Sequence, residues 1–184
     1  MNMNAVIDIT DVIIETERLM LRPWRIDDLG DFFEYASVDG VGQMAGWEPH
    51  TSIAVSETVL KLFIEEKKTF ALELKENNKV IGSLGIEKLS RIINDDYSDI
   101  PGREIGYVLN KKYWGRGLMP EAVKAVIEYC FSETECEYLI CSCAETNNQS
   151  KRVIDKCGFR FIDKTVRKLS NGTERTAMYH VIEK

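Results

Sequence analysis

Runs with strand-like patterning cover residues 13–22, 69–75, 80–89, 104–109, 138–143, 159–163 and 174–181. In the fourth run Ile105, Tyr107 and Leu109 alternate with Glu104, Gly106 and Val108, a period of two. Asn77-Asn78 separates the second and third runs and predicts a hairpin turn. Helical spacing fills the intervals. One helix is expected from Asp27 or Asp28 to about residue 37, and a second from Ser52 or Ser56 to about residue 68. A third places Leu118, Ala122, Ala125, Val126, Tyr129 and Cys130 on one buried face. A fourth starts at Asn147 or Asn148, carries Val153, Ile154 and Cys157 as its apolar stripe, and ends at Gly158. The first eleven or so residues read as a loose tail, residues 39–47 as a mobile glycine-rich stretch, and residues 94–102 as an acidic loop.

Length and composition narrow this pattern to one ordinary domain. A chain of 184 residues buries a full-sized core, and residues 1–184 are read as a single domain. The net charge of −6 argues against a nucleic-acid groove. No apolar run reaches membrane-spanning length, and the N-terminal residues lack the pattern of a secretory signal. Five cysteines accompany only two histidines, His50 and His180, so a metal site is not expected. The cysteines are read as reduced core residues, which implies a cytoplasmic protein.

The segment Glu104 to Ala122 concentrates the chemistry. It predicts a strand, a turn containing Gly115 and Gly117, and a helix with Pro120 in its first turn. Glycines let a ligand approach backbone N–H groups, and a helix N-terminus presents unpaired donors at the positive end of its dipole. Together these make a place for a phosphate or pyrophosphate. No Gly-Lys-Ser/Thr follows, so the turn is not a Walker A loop; Pro120 stands where the third glycine of a dinucleotide fingerprint would fall.

The Tyr113-Trp114-Gly115-Arg116-Gly117-Leu118-Met119-Pro120-Glu121-Ala122 run, the segment Asn147 to Phe159 and the opening Glu15-Thr16-Glu17-Arg18-Leu19-Met20-Leu21-Arg22-Pro23 together resemble the GNAT superfamily of acyl-CoA-dependent N-acetyltransferases. The resemblance is to its RimJ/RimL-like branch and spans about residues 12 to 181. It implies an α/β fold: a mostly antiparallel mixed sheet with flanking helices, whose two central parallel strands splay around the pantetheine arm of the cofactor. It also implies acetyl-CoA as co-substrate, with its pyrophosphate on the amides of Lys112 to Gly117. Trp114, Arg116, Leu118 and Met119 complete that turn, and Val108 and Leu109 offer main-chain groups to the pantetheine. Lys112 departs from the Gln or Arg usual in the family at that place, keeping a charge but not its geometry.

The implied reaction is direct attack of a primary amine on the acetyl thioester. Glu104 is the candidate base, or alternatively a structural carboxylate at the strand end. Ser150 follows the Asn-x-x-Ser pattern of the branch and is the candidate proton donor to the departing thiolate, with Asn147 on the pantetheine; capping a helix is the other reading of both. Trp47, Glu48 and His50 are expected to wall the acceptor site, and Asp95, Asp96 and Asp99 to attract a cationic acceptor. A protein N-terminus or a small-molecule amine would serve, and the chain would act as a monomer or homodimer. A silent acyl-CoA-binding module and an acyltransferase for longer chains are the rival readings.

Overall fold

The computed structural model describes residues 4–91, 95–168 and 174–184, and for Asp95 the backbone alone. Its residues pack as two compact units. The first comprises Met1–Val6, Ile86–Gly106 and Ile127–Lys184, the second Ile7–Gly85 and Tyr107–Val126.

The second unit begins with a hairpin where one strand was expected. β1 (Ile14–Glu15) and β2 (Leu19–Pro23) pair antiparallel through Ile14↔Leu21 and Glu15↔Met20. Thr16 causes the reversal: its amide donates to the Leu19 carbonyl, and its hydroxyl accepts from the Leu19 amide at 3.0 Å. α1 (Leu29–Ala36) follows a single 3-10 turn over Ile26–Asp28. α2 (Gly42–Ala45) orders the stretch expected to be mobile, because the Trp47 ring lies where a Cβ on Gly42 would stand, 2.2 Å away. Ser52, not Ser56, caps α3 (Ile53–Glu66), accepting from the Val55 amide.

β3 (Thr69–Leu74) pairs antiparallel with β2 and with β4 (Lys79–Glu87). The end of β5 (Gly102–Leu109) lies beside β4: the Val108 carbonyl is 2.4 Å from where a Gly82 Cβ would be. Trp24, Phe32, Tyr35, Leu60, Ala71 and Val80 form the buried cluster beneath these strands. Arg22 enters it as a charge, with a bidentate pair to Asp28 at 2.8 Å and Nε donating to Glu73 at 2.7 Å. A buried cation is tolerated only when so paired.

In the first unit β5 pairs parallel with β6 (Tyr138–Ala144) from Gly102↔Tyr138 to Ile105↔Cys141. A parallel pair needs a long crossover, and α4 (Leu118–Glu133) lies in that connection. β8 (Glu174–Glu183) pairs antiparallel with β6 from Tyr138↔Glu183 to Ala144↔Ala177, and β7 (Arg160–Lys168) with β8. The strand order is β5-β6-β8-β7 here and β1-β2-β3-β4-β5 in the second unit, a mixed sheet in which β5 and β6 are the parallel pair among the described pairings. α5 (Asn148–Lys156) runs between β6 and β7 and closes at Gly158, whose φ of 84° is the left-handed conformation expected of it. Tyr97, Tyr138, Ile140, Tyr179 and Val181 pack together in this unit.

Residues 4–9 do not trail as a loose tail. Asn4 bridges Gly102, the Ala5 carbonyl accepts from the Arg103 guanidinium at 2.7 Å, and Ala5 and Ile9 are buried. In the acidic loop Asp95–Tyr97 forms a 3-10 turn; Asn94 and the Asp95 side chain lie outside the described residues. All five cysteines are free thiols and buried.

Candidate cofactor turn and catalytic groups

Main-chain donors dominate the turn of the second unit. Asn110 ends β5 and is buried; its Oδ1 accepts from the Lys112 amide at 3.1 Å, capping a 3-10 turn over Lys111–Tyr113. Trp114 folds back so that its indole Nε1 donates to the Leu109 carbonyl at 2.7 Å. The chain then passes through Gly115 and Gly117, each at φ 77°, a conformation side chains rarely tolerate. Leu118 starts α4 immediately afterwards. Among the described residues the amides of Gly115, Arg116, Gly117, Leu118 and Met119 donate no hydrogen bond. Five successive donors are thus presented at the positive end of a sixteen-residue helix.

Cationic side chains surround these donors. Lys111 Nζ lies 5.9 Å from the Trp114 ring centroid, and the Arg116 guanidinium carbon 5.1 Å from that of Tyr113. Lys112 Nζ reaches Glu34 of α1 at 3.0 Å. Glu34 also accepts from Lys79 at 2.5 Å and from Asn110 Nδ2 at 3.3 Å. The hydrogen bonds from Lys79 and Lys112 outweigh burial and bring the Glu34 carboxyl down to about 2. Glu34 escaped the sequence reading because nothing local ties a helix-surface carboxylate to a lysine 78 positions later.

In the first unit both oxygens of Glu104 are engaged. Oε1 accepts from the Ser142 hydroxyl at 2.7 Å and Oε2 from the Ser90 amide at 3.1 Å. The carboxylate is buried and fixed to β6 and to the segment after β4. Asn147 caps α5: its Oδ1 accepts from the Ser150 amide at 3.0 Å, and both residues are buried. The Ser150 hydroxyl hydrogen-bonds the Cys143 thiol. Burial pushes that thiol up, more than Lys151 and Ser150 lower it.

Of the expected acceptor wall, Trp47 packs over Gly42 and His50 packs beside it. Its Nδ1 is 2.7 Å from the Ser56 hydroxyl, its ring packs 5.1 Å from Trp47 and 5.4 Å from Phe32, and burial lowers its pKa. Among the described residues no helix is long and apolar enough to cross a membrane.

A donor-rich turn at a helix N-terminus is the kind of place in which proteins hold phosphate groups. The family comparison makes this specific: the model of the acetyltransferase (GNAT) domain matches residues 18–160, and the chain belongs to this family. It is an acetyl-CoA-dependent N-acetyltransferase. An uncharacterised N-acetyltransferase of Bacillus subtilis (strain 168), YnaD, is 29% identical over 147 residues, covering 80% of this chain and 82% of its own. The crystal structure of a GNAT-family acetyltransferase from Bacillus anthracis superposes with a TM-score of 0.81 at 25% identity, over 94% of this chain and 98% of that one. The ribosomal-protein-S5-alanine acetyltransferase of Vibrio fischeri shares the fold, with a TM-score of 0.73 at 20% identity over 94% and 97% of the two chains.

Proposed function

We propose that this enzyme belongs to the RimJ/RimL-like branch and transfers an acetyl group from acetyl-CoA to a primary amine by direct attack. The acceptor is a protein N-terminus or a small-molecule amine, met in the cytoplasm by a monomer or homodimer. The observation that carries this reading is the run of unpaired amides from Gly115 to Met119. A dianionic pyrophosphate matches five main-chain donors at a helix N-terminus, which bind it without a side-chain charge. Lys112 and Arg116 add positive potential around it. The family model runs through both compact units, which supports reading residues 1–184 as one domain.

In this reading Val108, Leu109 and Asn147 orient the pantetheine arm. Glu104 takes or relays a proton from the amine, which must be neutral to attack. Its two hydrogen bonds hold the carboxylate in one orientation. The amine nitrogen bonds the thioester carbonyl carbon, the C–S bond breaks, and the thiolate receives a proton from Ser150 directly or through water. The buried, capped position of Ser150 supports a fixed donor.

The test is a panel of amines, including peptides with free N-termini, amino acids, polyamines and aminoglycosides, incubated with acetyl-CoA and assayed for thiol release and product mass. Acetylated product with at least one acceptor class is expected. Acetyl-CoA binding with no turnover across the panel would make the chain a silent acyl-CoA-binding module. Faster turnover with butyryl-CoA would make it a longer-chain acyltransferase.

A further inference from the structure

Two residues of the sequence motifs have no part in the reaction so far, Arg18 of the opening segment and Glu121 in the first turn of α4. They meet across 103 positions of sequence, both in the second unit. Glu121 Oε2 accepts from Arg18 Nε at 2.7 Å and Nη2 at 2.6 Å. Oε1 accepts from the Arg18 amide at 2.8 Å and the Thr16 hydroxyl at 2.6 Å. The remaining arm of the guanidinium, Nη1, donates to the Arg116 carbonyl at 2.9 Å.

We propose that Arg18, locked by Glu121, is a positioning residue for the cofactor turn, holding the Arg116 carbonyl so that the Gly117 amide is presented to the pyrophosphate. The inference rests on the acetyl-CoA reading above. In a trans peptide the C=O and the following N–H point in opposite directions, so fixing the Arg116 carbonyl on Arg18 fixes the Gly117 N–H away from it. The device is needed because glycines at positive φ flank Arg116 on both sides. That peptide plane could otherwise rotate at little steric cost.

Charge gives Arg18 a second task. A carboxylate in the first turn of α4 favours the helix dipole but repels an anion bound there. Burial acts to raise the Glu121 carboxyl, yet the Thr16 hydroxyl and the Arg18 amide and guanidinium together hold it below the usual carboxylate range. It is therefore ionised near neutral pH, and Arg18 is the cation that cancels it.

The experiment compares acetyl-CoA with acetyl-pantetheine, which carries the thioester but no pyrophosphate. Arg18→Lys keeps the charge and loses the fork. It should weaken acetyl-CoA affinity about tenfold, the scale of one hydrogen bond to a charged group, and leave kcat/KM for acetyl-pantetheine unchanged. Arg18→Ala should be weaker still, because Glu121 is left uncompensated, and adding Glu121→Gln should recover part of the loss. Circular dichroism melts check that each variant is folded. If folded Arg18→Lys binds acetyl-CoA as wild type does, or loses equally on both thioesters, Arg18 is a structural staple and the proposal is overturned. If the wild type itself does not bind acetyl-CoA, the acetyl-CoA reading falls and takes the positioning role with it.

Discussion

Glu104 and Ser150 are both buried and both anchored, but by different means, and their variants should separate. Glu104→Gln keeps the shape and one acceptor oxygen for Ser142 or Ser90 while removing the charge. It should lower kcat/KM about 100-fold, the lower end for a general base, and most at low pH, where the amine arrives protonated. A pH–rate profile checks this; an equal loss at every pH assigns Glu104 to positioning. Ser150→Ala leaves the Asn147 cap intact, because the cap uses the Ser150 amide. It should lower turnover more than acetyl-CoA affinity, which steady-state kinetics alongside calorimetry will measure. These candidates were legible because their signals are local: a carboxylate near the start of a strand, which the structure begins two residues earlier at Gly102, and a serine three residues after a helix cap. Ser90, Ser142 and Cys143, which hold them, were not legible. Which residue faces Glu104 depends on the β5–β6 register, and periodicity does not reveal register.

At the scale of elements, the glycine turn and α4 carry the account. Gly117→Val places a β-branched residue at a φ of 77°. It should cost about 1–3 kcal/mol of strain, lower the melting temperature slightly, and weaken acetyl-CoA binding well beyond what the melt predicts. Calorimetric titration of the folded variant measures it. Strands and the long helices were legible from spacing and caps, and Gly158 from its place after an apolar stripe. The split of residues 13–22 was not, because the turn depends on one hydroxyl, that of Thr16, meeting the Leu19 amide. The anchoring of Ala5 and Ile9 was equally hidden, since their partners, Arg103 and Lys67, are distant in sequence. Arg18 and Glu121 stood in recognisable motifs, but only folding brings them together.

Across the whole molecule, acid stability follows from the carboxylates tied to cations. The Glu34 carboxyl lies at about 2 in the folded protein against an ordinary 4.5, so its contribution is fully present above about 4.5 and is lost as pH falls toward 2. Glu121 and Glu183 are lowered in the same direction. Thermal melts should therefore show stability falling between pH 4.5 and 2, with a shallower fall in Glu34→Gln. In the proposed function the amides of residues 115–119 hold the pyrophosphate of acetyl-CoA. Backbone amide NMR during titration with CoA and, separately, with pantetheine tests it most directly. Large shifts are expected at Gly115, Arg116, Gly117, Leu118 and Met119 with CoA and small ones there with pantetheine. Saturable CoA binding that leaves those five amides unmoved would contradict it.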